Sequence, residues 1–170
     1  AVTLAPRGRA LQMNAGARAE IGGVAVAVAA GAADDFDTVL FLHADTALPD
    51  NADALIAQAL DAGHHWGRFD VRISGQHRLL PLVAAMMNWR SRLTGIATGD
   101  QAIFVTREAF RRIGGFPEIA LMEDIVLSRE LRALGWPACF SDRVTTSGRH
   151  WERNGLLRTI LMMWRLRMRF

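Results

Sequence analysis

An imidazole and a carboxylate stand at the end of an apolar run. The stretch TVLFLHADT, Thr38 to Thr46, passes from β-forming aliphatic residues straight into His43 and Asp45. A short run of this kind reads as a strand buried on both faces. Ligands of open α/β sheets bind beyond the carboxyl ends of the strands, so the tip of this strand is a natural place for a binding group. On an extended backbone His43 and Asp45 project to the same side, about 7 Å apart along the chain. A carboxylate there can hold a divalent cation, and the cation can neutralise a diphosphate. Asp45 can also simply cap a turn, and His43 can equally be a satisfied structural histidine.

Four further stretches offer chemistry. PRGRALQMNAG sets Arg7 and Arg9 at the mouth of a helix. Free N–H groups, the positive helix end and two guanidinium forks there all favour a phosphate, although a solvated basic turn would look the same. LMEDIVLSREL opens a helix with Glu123 and Asp124. Acids in a first turn suit the helix dipole, and one carboxylate held in a cleft could also take a proton from a hydroxyl. TGDQAIFV puts Gly99 and Asp100 just before a strand, where the backbone can turn tightly or approach a ligand. SGRHWERNG gathers Arg149, His150, Trp151 and Arg153 between glycines, which suits a flap over a diphosphate or a surface loop with an anchored Trp. His64 and His65 read as loop residues and Cys139 as buried packing.

The elements that must position these groups alternate between strand and helix. The spacing predicts a helix from Arg9 to Glu20 and leaves VAVAVAAGAA, Val24 to Ala33, open between strand and helix. After the TVLFL strand, LPDNADALIAQALDAG reads as a helix capped by Asp50 or Asn51, with Leu55, Ala59 and Ala62 on one side and Gly63 at its end. GRFDVRIS alternates like a strand with one wetter face. LLPLVAAMMNWRSRLTG is an apolar helix interrupted early by Pro81, QAIFVT a strand, and REAFRRIGG a helix. MEDIVLSRELRALGWP is the clearest helix, with Leu127, Leu131 and Leu134 at i, i+4, i+7, and ACFSDRVTTS holds one or two short strands. Repeats and linkers are absent, so the reading is one α/β layered domain over residues 1–170.

Composition narrows the classes. The chain has 170 residues, 51% of them hydrophobic, which suits one globular core. All 20 basic residues are Arg, and their placement is uneven: from Arg143 onward there are seven Arg and one acid, Glu152. A basic end suits phosphates, nucleic acid or an acidic membrane face. A single cysteine excludes an internal disulfide and fits a reducing, cytoplasmic location. No signal peptide is evident, and the lack of an initiator Met suits a fragment or a processed product.

In order and together, PRGRALQMNAG, LFLHADT, TGDQAIFV, GGFPEIALMEDIVLSREL and TTSGRHWERNG resemble the family 2 glycosyltransferases, in particular a bacterial subgroup. The resemblance spans Pro6 to Gly155 and implies the GT-A fold: a Rossmann-related mixed sheet flanked by helices, here N-terminally truncated. It implies transfer of a sugar, with inversion, from a nucleotide-sugar donor to a hydroxyl acceptor, assisted by Mg or Mn. Asp45 matches the second acid of the family's Asp-x-Asp metal motif, and His43 replaces the first. Glu123-Asp124 matches the Glu-Asp pair, with Asp124 as the base. Arg7, Arg9, Asn14, Arg149 and Arg153 would line the nucleotide diphosphate; His43, Gly99, Asp100 and Trp151 the sugar or acceptor. GRHWERNG lacks the Gln-x-x-Arg-Trp signature of processive members, which implies single transfers. The chain starts just after the unit that would hold the nucleotide base, which favours pairing with another chain.

As a helix, residues 156–170 would gather Arg158, Arg165 and Arg169 within about 40°, beside a stripe of Leu161, Trp164 and Met168. Such a helix could lie on the inner face of the membrane, near a lipid-linked acceptor, or pack on this domain or a twin subunit. The competing functions are a non-catalytic remnant domain acting as a binding or membrane-surface module, a nucleic-acid binder, and a nucleotidyltransferase. A nucleic-acid binder lacks its stacking or groove-reading elements, and a nucleotidyltransferase would want a Lys that this chain does not contain.

Overall fold

A computed structural model of the chain describes residues 8–18, 38–119 and 121–149. Their elements, in chain order, are α1 (Arg9–Arg18), β1 (Thr38–Phe41), β2 (Thr46–Ala47), α2 (Ala52–Asp61), β3 (Trp66–Ser74), α3 (Leu80–Thr94), a single 3-10 turn (Gly99–Gln101), β4 (Ile103–Thr106), α4 (Arg107–Arg112), α5 (Glu123–Leu134) and β5 (Ala138–Ser147). The described strands form one mixed sheet in the order β1-β4-β3-β5-β2. The β3–β5 pair is parallel and the other pairs are antiparallel. The expectations for Arg7, Val24–Ala33, His150, Trp151, Arg153 and residues 156–170 lie outside the described residues.

Apolar runs become strands here because both faces of the sheet are covered. Along β1, Leu40 points into one core while Val39 and Phe41 point into the other; along β4, Phe104 and the pair Ile103 and Val105 divide the same way. Ile56 of α2 and Leu80 and Val83 of α3 fill the first core. Ala10 of α1, Phe110 of α4, and Leu127 and Leu131 of α5 fill the second. The result is a helix–sheet–helix sandwich, an α/β fold. Each fully buried Leu, such as Leu127 or Leu131, contributes about 1.5–3 kcal/mol. That fixes α5, and with it the acids at its start, against the sheet.

Several local expectations are corrected. Pro81 does not interrupt α3: it sits in the first turn, where its missing N–H costs nothing. The buried side of α2 is Ala52, Ile56 and Ala59 rather than Leu55, Ala59 and Ala62, and Asn51 precedes it without a side-chain cap. ACFSDRVTTS is one ten-residue strand, and the two-residue β2 has no counterpart in the sequence reading.

The largest difference concerns β3. Its alternation marks a wetter face only at Arg72 and Ser74, because residues Trp66 to Val71 are all buried. Arg68 is fully buried and pairs with Asp70, which also accepts from Arg92 Nη2 at 3.0 Å. The cluster occupies a break in strand register: Arg68 faces Cys139, but Asp70 already faces Arg143. Ladder geometry fails there, and Arg92 donates to the carbonyls of Cys139 and Phe140, both at 3.1 Å. On the other edge of β3, pairing with β4 covers only Trp66 to Arg68. Beyond it the Asn88 side chain takes the place of a strand, accepting from Val71 N at 2.8 Å and donating to Val71 O at 3.0 Å.

Asn88→Ala leaves that backbone N–H and C=O buried without a partner. It should lower stability by about 2–3 kcal/mol, seen as a lower urea midpoint with an unchanged denaturant slope.

Candidate functional site

The first turn of α5 meets the loop between α3 and β4. Asp124 Oδ2 accepts from Gly99 N at 2.9 Å, and its Oδ1 accepts from Ile125 N at 2.8 Å. One turn later, Ser128 Oγ accepts from Ala97 N at 3.1 Å and donates to Ala97 O at 3.3 Å. The spacing explains the match. Four helical residues rise about 6 Å and two extended residues about 6.6 Å, so Asp124 and Ser128 grip Gly99 and Ala97 in register. Sequence reading missed Ser128; its signal is the i, i+4 relation to Asp124.

The loop is tied from its other side as well. Gln101 is fully buried; its Oε1 accepts from Thr98 N at 3.2 Å and its Nε2 donates to Asn88 Oδ1 at 3.4 Å. Sequence reading missed Gln101 too. Two backbone outliers lie beside the junction: Ala102 (φ 48°) follows the Gly99–Gln101 turn, and Met122 (φ 66°) precedes Glu123. Among the described residues they are the only non-glycines with positive φ. The left-handed region costs a residue with a Cβ about 1–2 kcal/mol, so the surrounding packing holds both in place.

His43 arrives from the tip of β1. Its ring lies against Gly99 so closely that an added Cβ would overlap Nε2, so a larger residue there would have to displace the imidazole. Nδ1 lies 3.2 Å from Asp100 Oδ1. With a carboxylate as partner, Nδ1 is the donor, and Nε2 is buried without a partner among the described residues. Glu123, almost fully buried, accepts from Arg9 Nη1 at 3.1 Å. Arg9, His43, Gly99, Asp100, Glu123 and Asp124 are therefore brought together from four separate segments.

Asp45 departs from the extended geometry expected of it. Thr46 N donates to His43 O at 3.0 Å, so the backbone turns at Ala44 and Asp45, and Asp45 is exposed two residues beyond the cluster. Its carboxylate has no hydrogen bond or ion pair among the described residues. These residues also contain no group of three or more His, Cys, Asp or Glu arranged to hold a metal. A lone exposed carboxylate fits a Mg-type ion that arrives with substrate phosphates and keeps its waters, not an all-protein cage.

Two expected ligands lie apart from this cluster, and Asn14 is committed elsewhere. Asn14 is buried, and its amide accepts from Phe116 N at 2.8 Å and donates to Phe116 O at 2.9 Å, closing the turn made by Gly114 and Gly115. Arg149 is exposed and its Nε donates to Ser147 Oγ at 3.0 Å. A cavity of about 420 Å³ lies elsewhere, lined by Asn14, Ala17, Val39, Phe110 and the arginines Arg107 and Arg111; it includes no member of the cluster around Asp124.

Burial pushes the Asp124 carboxyl above the usual aspartate range; Glu123 adds to the rise, and the bonds from Gly99 and Ile125 oppose it. The folded protein thus holds this proton more tightly than the unfolded chain does. The stability this lends is fully present below the ordinary aspartate value and is lost as pH rises through the raised one. Asp124→Asn removes that loss. In urea unfolding between about pH 4 and pH 8, the stability of the variant relative to the parent should rise with pH and then level off. A difference that is flat or falls would show that the carboxyl titrates in its normal range or below it.

No protein-family profile, curated protein or solved structure matches this chain, so the case for its function rests on these residues.

Proposed function

We propose that the protein is an inverting glycosyltransferase of GT-A type, moving a sugar from a nucleotide-sugar to a hydroxyl acceptor. The observation that carries this reading is the placing of Asp124: half-buried, raised in pKa, and held by Gly99 beside His43 and Asp100. A carboxylate lifted toward neutral pH is suited to general-base work. Each carboxylate oxygen can accept more than one hydrogen bond, so Asp124 can take a substrate hydroxyl without giving up Gly99 or Ile125.

In this mechanism Asp124 receives the proton of the acceptor hydroxyl as that oxygen bonds to the anomeric carbon. The bond from that carbon to the diphosphate oxygen breaks, and the leaving nucleotide keeps the electron pair. Asp45 would hold the divalent ion, whose charge would offset that of the diphosphate. Arg9 directs one nitrogen to Glu123; its remaining N–H groups can reach a phosphate, and Glu123 fixes where they point. His43, beside Gly99 and Asp100, would lie next to the bound sugar. Arg149 and the arginines beyond it would add positive charge near the diphosphate, and a peripheral contact with the inner face of the membrane would bring a lipid-linked acceptor to the site.

The test pairs two variants. Asp124→Asn should lower transfer at least about a thousandfold while donor binding, measured by calorimetry, stays within about threefold. Asp45→Ala should weaken donor binding in Mn or Mg and leave metal-free binding unchanged. A parent protein that shows no nucleotide-sugar binding in either metal, or an Asp124→Asn variant that transfers at the parental rate, would overturn the proposal.

A further inference from the structure

α3 is apolar on two opposite sides. Leu80, Val83 and Ala84 join the core. On the other side Leu79, just before the helix, and Leu82, Met86, Trp89 and Leu93 are 43%, 56%, 50%, 67% and 59% exposed. Their spacing of three, four, three and four residues is that of a seam packed on another helix, and at 100° per residue they fall within about 80°. A helix apolar nearly all round is ordinarily buried, and a continuous exposed apolar face marks an interaction site.

We infer that this face is the self-association surface of the protein: two copies pair α3 against α3, antiparallel, about a two-fold axis beside Met86. The pattern is almost its own reverse. Around Met86 the apolar residues lie seven and four positions before it and three and seven after, so reversal places Leu79 opposite Leu93 and Leu82 opposite Trp89. A two-fold contact requires this kind of self-complementarity, and neither a lipid surface nor an unrelated partner does. Antiparallel pairing sets the helix dipoles head to tail and brings the exposed Arg78 to the negative end of the facing helix. Residues 75–95 contain no Asp or Glu, so the seam buries no carboxylate. If these five side chains were covered, about 600 Å² would be buried on each copy, about 1,200 Å² in all, at the lower end of the range for stable interfaces.

The test uses the full chain in a Cys139→Ser background, so that an added thiol is the only one. By sedimentation at about 100 µM, well above a micromolar dissociation constant, the parent should be a dimer. Met86→Cys should cross-link to its twin on mild oxidation at least tenfold faster than Glu130→Cys, an exposed control off the seam. The double variant Leu82→Arg with Trp89→Arg should be a monomer at about 100 µM that melts cooperatively, at the temperature of the parent diluted until it too is monomeric, since neither side chain is in the core. A monomeric parent, a dimer that survives the double variant, or equal cross-linking rates for Met86→Cys and Glu130→Cys would overturn the inference. Two specific outcomes would reassign the face. Flotation of a monomeric parent with anionic vesicles, lost in the double variant, would make it a lipid surface. Dimers that appear only after deletion of residues 150–170 would show that the chain covers its own seam.

Discussion

The bond from Gly99 N to Asp124 is the outermost of the bonds that join the α3–β4 loop to α5. Around it the structure is strict about residue type. A Cβ at Gly99 would displace the His43 ring from its place, and Asp124 presents both oxygens to two backbone N–H groups. Ser128 sets the height of the loop and Gln101 its tilt. The left-handed residues Ala102 and Met122 mark where the chain bends unfavourably to reach the junction. Core packing of Leu127 and Leu131 supplies the rigidity that offsets those bends.

Much of this was legible in the sequence, for identifiable reasons. Elements with a strong period or an uninterrupted apolar run, such as α5, β1 and β4, need only local rules: α5 and β1 bury the residues expected, and β4 is the strand expected. Asp124, Gly99 and His43 could each be suspected because the residue type and the position at an element's end agree. What local rules could not supply was which of them touch. The turn at Ala44 and Asp45 carries no Gly or Pro to announce it, so an extended reading is the natural one. Asn14 looks like a ligand group because its commitment to Phe116 spans 102 positions of sequence.

β3 teaches the same lesson from the other side. Arg68 and Asp70 imitate a solvent-facing alternation, and only Arg92, more than twenty residues away, reveals that they are an internal ionic cluster. Buried ions of this kind add little net stability, since desolvation cancels much of their attraction, but stripping one partner from the others is costly. Their service here is geometric: they occupy a place where β3 and β5 fall out of step.

That dislocation bears on how the molecule behaves in a crowded solution. Among the described residues β2 covers only Thr145 and Thr146 of β5, which leaves most of a long strand with one bare margin. A straight, regular margin of that length would template foreign strands and seed aggregates. The kink between Cys139 and Arg143, with Ser141 and Arg143 turned outward, spoils the template. The same defect that lodges a salt cluster inside the domain thus helps keep it from polymerising with strangers.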